Sequence, residues 1–131
     1  FLQAFINIGL VPDAGSSYIL PRLIGSARAN AMMLLGEKID AKTAEDWGLV
    51  YKTVPDDALM GEAMKIALKL ANGPSQAYGA IRRMSRESQS NSLSEQLSLE
   101  AESQRMCSYS EDFLEGVMAF TQKRVANFKG K

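Results

Sequence analysis

Asp13 is the only acid in an apolar, glycine-rich neighbourhood, flanked by Val11, Pro12, Ala14 and Gly15. If those neighbours bury it, its carboxylate is harder to ionise and can trade protons near neutral pH. The same residue type caps helices, and Asp13 can equally accept from the free N–H groups of the turn that follows. Its position alone allows either role.

A second candidate lies near the other end, in Phe120-x-x-Lys123-Arg124, with Lys129 and Lys131 beyond. Residues three apart share a helix face, so Phe120 and Lys123 can offer one ring and one ammonium to a ligand. That pair suits an adenine and a phosphate. The plainer alternative makes Phe120 core and Lys123 a solvated charge. Tyr18-Ile19-Leu20 and Met32-Met33-Leu34-Leu35 could line an apolar pocket, or simply pack. Arg82, Arg83 and Arg86 read as solvated surface, because no aromatics interleave with them.

Composition narrows the chemistry. Histidine is absent and Cys107 is the single cysteine, which removes Ser-His-Asp and Cys-His catalysis from these 131 residues. It also argues against a metal site, and one free thiol suits a reducing compartment. Fifteen basic residues balance fifteen acidic ones, so no broad field favours nucleic acid or an anionic membrane. No apolar run approaches the roughly 20 residues that span a bilayer. The expected address is cytoplasmic. An opening of Phe1-Leu2-Gln3-Ala4-Phe5, with no initiator Met, reads as part of a longer protein.

The elements that must position these residues are mostly helical. Phe1 to Leu10 reads as a strand end running into a loop, and Val11 to Ser17 as turn and cap residues. A short helix is expected through Tyr18-Ile19-Leu20 with Pro21 near its end, then a clearer one over Ala27 to Leu35, stopped by Gly36. Asp40 should cap a helix over Ala41 to Trp47. Val50 to Val54 alternates apolar and polar, as a short strand does. Leu59, Ala63, Ile66, Ala67 and Leu70 recur at helical spacing and predict one buried face. Helices carrying Ala77, Ile81 and Met84, and Leu93, Leu97 and Ala101, should follow. The last helix should start at Ser110 and run through Arg124.

Ile8-Gly9-Leu10-Val11-Pro12-Asp13-Ala14-Gly15-Ser16-Ser17, then Leu20-Pro21-Arg22-Leu23-Ile24-Gly25, resembles the enoyl-CoA hydratase/isomerase, or crotonase, superfamily. The likeness continues in order through Leu34-Leu35-Gly36-Glu37, Trp47-Gly48-Leu49-Val50 and Glu115-Gly116-Val117-x-Ala119-Phe120-x-x-Lys123-Arg124. It covers essentially the whole chain. It implies the carboxy-terminal half of a subunit roughly twice this length. In that parent an α/β ββα spiral carries a helical trimerisation domain. Residues 1–55 would end the spiral core, and 56–131 would form the helical domain.

Roles follow from the resemblance residue by residue. Family hydratases use two glutamates, one of them four residues before the glycine that Gly9 matches. Here that place holds Phe5, which counts against hydration. An acid where Asp13 stands resembles the family's isomerases, and Leu10-Val11-Pro12-Asp13 looks closest to the ring-epoxide isomerases of phenylacetate degradation. The implied reaction is a double-bond shift through an enolate of a CoA thioester, with Asp13 as acid and base. Phe5, Gly9, Pro12 and Tyr18 would contact substrate, and Phe120 and Lys123 the CoA adenine and phosphates. Coenzyme A enters as part of the substrate, and no separate cofactor or metal is implied. The parent would be a homo-oligomer, a trimer or hexamer. The oxyanion-hole donors belong to sequence outside these residues, so this chain alone is expected to be inactive. A hydratase of the same family, or a non-catalytic helical assembly module, are the alternatives.

Overall fold

A computed structural model describes residues 1–131, which divide into two compact units, Phe1–Ala58 and Leu59–Lys131.

The first unit is built on a helical pair. Helix α1 (Ser16–Ile24) and helix α2 (Ser26–Leu35) are joined by Gly25 alone. Leu20 and Ile24 of α1 meet Ala29 and Met32 of α2, and Met33, Ile39, Trp47 and Leu49 pack round them. Pro21 is the sixth of the nine residues of α1, so its missing N–H leaves the Ser17 carbonyl without a ladder partner. Gly36 ends α2 in the left-handed region at φ 61°. A Cβ there would lie 2.7 Å from Asn7 Oδ1 and 2.9 Å from Ile6 Cγ2, so glycine lets the 3-10 turn Ala4–Ile8 close over the end of α2. Helix α3 (Ala41–Asp46) is capped by the Asp40 carboxylate, which accepts from the Thr43 N–H at 2.7 Å.

Two expected strands are helix and loop instead. Residues 4–8 form the 3-10 turn, and 50–54 run as irregular backbone. Alternation and apolar content suit a strand, but no segment of this chain offers either stretch a ladder of N–H and C=O partners. Thr53 spends its hydroxyl on the Glu45 carboxylate at 2.6 Å. The chain is mainly α and holds no strand.

The second unit opens with a 13-residue helix, α4 (Leu59–Ala71). Its apolar periodicity predicted a buried face, yet none of its residues is buried: Leu59, Ile66 and Leu70 stay exposed. Helix α5 (Ser75–Glu87) follows Pro74 directly. Ser92 opens helix α6 (Leu93–Ser108) with a reciprocal cap: its hydroxyl accepts from the Glu95 N–H, and the Glu95 carboxylate accepts from the Ser92 N–H at 2.7 Å. Helix α7 (Glu111–Thr121) starts at Ser110, whose hydroxyl accepts from the Phe113 N–H at 3.0 Å. Ala80, Leu99, Ser103, Asp112 and Ala119 are the buried positions of this unit. No helix in the chain is long and apolar enough to cross a membrane.

Candidate active site

The loop ahead of α1 is set by left-handed backbone at both ends. Gly9, at φ 71°, closes the 3-10 turn: its N–H reaches the Ile6 carbonyl at 3.1 Å, and the Leu10 N–H reaches the Phe5 carbonyl at 2.9 Å. Phe5 is thereby tied to the start of the loop and is half-buried, as is Pro12. At the far end Ala14 has φ 50° and Gly15 φ 80°. Ser16 locks this pair, its N–H and hydroxyl both donating to the Asp13 carbonyl, at 2.9 and 2.8 Å.

Asp13 is not a helix cap. Gly15 holds the cap position of α1, and no side chain bonds to the helix N–H groups there. Nor do its apolar neighbours bury Asp13, which is exposed. No hydrogen bond or ion pair reaches its carboxylate. Tyr18, on the first turn of α1, is half exposed and carries Arg22 over its ring at 3.5 Å. Arg22 Nη1 also donates to the Tyr18 carbonyl at 2.9 Å, which fixes the guanidinium there.

Phe120 and Lys123 lie in the second unit, and they do not share a helix face. Helix α7 ends at Thr121, and Lys123 follows it in the left-handed region at φ 52°. The Lys123 N–H donates to the Phe120 carbonyl at 3.2 Å and the Arg124 N–H to the Ala119 carbonyl at 3.0 Å, the paired bonds of a Schellman end. Spacing alone extended the helix through this stop, because a left-handed lysine carries no glycine signal. Phe120 is 85% exposed. It edges an apolar cavity of about 390 Å³ whose other walls include Pro74, Ala77, Phe113, Val117 and Phe128.

Beyond Lys123 the chain folds back over α7 as a strap. Asp112, only 4% exposed, accepts from the Lys129 N–H at 2.7 Å and the Gly130 N–H at 2.9 Å. Glu115 takes both Arg124 Nη1 and Nη2, at 2.6 and 2.8 Å, and the Asn127 N–H at 2.8 Å. The Arg124 hydrogen bonds, helped by the Asn127 N–H, lower the Glu115 carboxyl from its ordinary 4.5 to about 2. A continuous helix from Ser110 through Arg124, as the spacing predicts, leaves no place for this strap. A nine-residue separation between Glu115 and Arg124 matches no helical repeat, so nothing in the pattern pointed to it. No group of three or more acidic, histidine or cysteine side chains converges as a metal site.

The enoyl-CoA hydratase/isomerase family model matches residues 1–131, the whole chain. The chain is 40% identical over its full length to the 1,2-epoxyphenylacetyl-CoA isomerase of Escherichia coli (strain K12), covering 50% of that protein. It is 45% identical to a protein of Rhodobacter capsulatus named "Probable enoyl-CoA hydratase", again over its full length and 51% of the relative. The crystal structure of an enoyl-CoA hydratase from Bacillus anthracis superposes with a TM-score of 0.92 at 31% identity, over 98% of this chain and 50% of that one. The chain thus spans about half the length of the relatives it matches.

Proposed function

We propose, for a chain that belongs to the enoyl-CoA hydratase/isomerase family, proton transfer on an acyl-CoA thioester as its chemistry, with Asp13 moving the proton. One observation carries this reading. Asp13 is an exposed carboxylate with no partner, held at the head of α1 by a strained turn. A group free of internal bonds is free to bond a substrate C–H. Phe5 occupies the place that the family resemblance gives to a hydratase glutamate, so a second carboxylate to activate water is missing from this loop.

In the proposed reaction Asp13 takes a proton from carbon near the thioester carbonyl, and the electron pair moves into the carbonyl as an enolate. The carboxylic acid so formed returns the proton to a different carbon, and the double bond shifts. Nothing is added or lost. Two backbone N–H donors hold the enolate oxygen, each worth about 3 kcal/mol. The resemblance assigns both donors to sequence outside these residues, so the 131-residue chain alone should give no useful turnover.

Phe5, Gly9, Pro12 and Tyr18 would surround the acyl end of the substrate, and Phe120 and Lys123 the CoA nucleotide. The parent would end its spiral core in residues 1–55, assemble through 56–131 as a trimer or hexamer, and work in the cytoplasm. A hydratase reading is the second choice, supported by the name of the Rhodobacter capsulatus relative.

The deciding experiment uses the full-length protein that carries this chain, fed 3-enoyl-CoA and 2-enoyl-CoA, with Asp13→Asn beside the wild type. Double-bond migration should fall by at least about 100-fold in the variant, with little hydration in either. Strong hydration that survives the substitution would remove Asp13 from the chemistry.

A further inference from the structure

We propose that the left-handed pair Ala14–Gly15 is a positioning device: it starts α1 at Ser16 and so withholds the Asp13 carboxylate from the helix N-terminus. The proposal rests on the reading of Asp13 as the proton-transfer group.

The same chain supplies the comparison. Asp40-Ala41-Lys42-Thr43 and Asp13-Ala14-Gly15-Ser16 share one spacing, an aspartate with a hydroxyl residue three places on. At Asp40 the two middle residues lead straight into α3, and the carboxylate accepts from the Thr43 N–H at 2.7 Å. That bond holds the Asp40 carboxyl below its ordinary range. A carboxylate bound in this way is a poor base, because taking a proton means giving up the cap.

Asp13 has everything it needs to do the same. With right-handed angles at Ala14 and Gly15, α1 would gain a turn and the Ser16 N–H would face the carboxylate. Instead both residues are left-handed, and the Ser16 N–H goes to the Asp13 carbonyl. The Ser16 hydroxyl reinforces that choice with a second bond to the same carbonyl. Ala14 is one of only two non-glycine residues with positive φ in the chain, a conformation L-residues avoid. The fold forgoes an available cap and accepts strained backbone at the same place, and a carboxylate left unpartnered is the result.

Gly15→Ala tests this cleanly. A Cβ at Gly15 would meet only Ile19 Cδ1, at an ordinary 3.6 Å, so the substitution acts through φ and not through a clash. In the full-length protein kcat should fall about tenfold while KM stays within about twofold. Gly15→Asn, which tolerates the left-handed region, should recover most of the loss. A second readout needs no turnover. In Gly15→Ala the Ala14 Cα chemical shift should move to a helical value. The Ser16 amide proton should then respond to Asp13→Asn, to which it is insensitive in the wild-type background.

An unmoved Ala14 shift, an unchanged kcat, or an equal loss in Gly15→Asn would each overturn the proposal. Should Gly15→Ala not fold, Ser16→Ala, which removes the hydroxyl bond and keeps the N–H, is read by the same shifts and rates. If Asp13→Asn keeps its turnover, the proton-transfer reading fails, and the shifts still report whether the pair sets where the helix starts.

Discussion

Two regions of this chain handle carboxylates in opposite ways. On α7, Asp112 is buried with two strap N–H groups on its oxygens, and Glu115 holds a two-pronged Arg124 and a third donor. Ahead of α1, the Asp13 carboxylate is exposed and accepts no hydrogen bond, although the Ser16 N–H lies three residues on and goes to the Asp13 carbonyl instead. Oxygens fully supplied with donors hold a fold together, because loss of the carboxylate strands the donors. Oxygens supplied with none contribute little to the fold. The strap acids are therefore structural, whereas the fold leaves the Asp13 carboxylate unpartnered.

The sharpest way to break that contrast is to remove each acid and measure stability. Asp112→Ala deletes two charge-assisted hydrogen bonds and leaves the Lys129 and Gly130 N–H groups without their acceptor. It should destabilise the second unit by about 3 kcal/mol and abolish hydrogen-exchange protection at those two amides. Asp13→Asn should change stability by no more than about 0.5 kcal/mol. Similar losses at the two positions would erase the distinction.

Acid titration sharpens it next. Glu115 has its folded carboxyl lowered from 4.5 to about 2, chiefly by Arg124. Between those values the unfolded chain binds more protons than the folded one, so stability rises with pH in that window. The Glu115 contribution is complete above about 4.5 and is lost as pH falls towards 2. Thermal unfolding of Glu115→Gln should accordingly show a shallower fall across pH 4.5 to 2 than the wild type. Equal slopes for wild type and Glu115→Gln would mean that the strap does not depend on this ion pair.

The sequence made the helices legible and hid what the loops do. Asp40 and Ser110 each announced a helix start, and each caps one. Local rules suffice there, since donor and acceptor sit three residues apart. Asp13 obeys the same rule on paper and breaks it in the fold, because Ala14 adopts an angle its identity gives no hint of. Lys123 hides the end of α7 for the same reason. The strap depends on contacts nine to eighteen residues apart, as between Glu115 and Arg124 or Asp112 and Gly130, beyond any periodic signal. The strand expected at Val50 to Val54 failed differently: alternation describes a face, but a ladder needs a partner. The exposed apolar face of α4 shows the limit from the other side, for its period was right and its burial was not.

The smallest expected effect separates the two kinds of site most finely. Lys123 stands where a Schellman end ordinarily has glycine, and its Cβ costs about 1 kcal/mol in the left-handed region. Lys123→Gly relieves that strain but frees the unfolded chain by roughly half as much, so a net gain of about 0.5 kcal/mol is expected in denaturant unfolding. No salt bridge holds the Lys123 side chain, and the strap is pinned by Arg124 and Asp112, so the substitution takes nothing else from the fold. If Lys123 serves the CoA phosphates, the full-length Lys123→Gly protein should bind CoA more weakly even as its stability rises. Opposite signs would place Lys123 with Asp13, among residues kept at a cost to the fold. A loss of stability would place it instead with Asp112 and Glu115, as one more part of the strap.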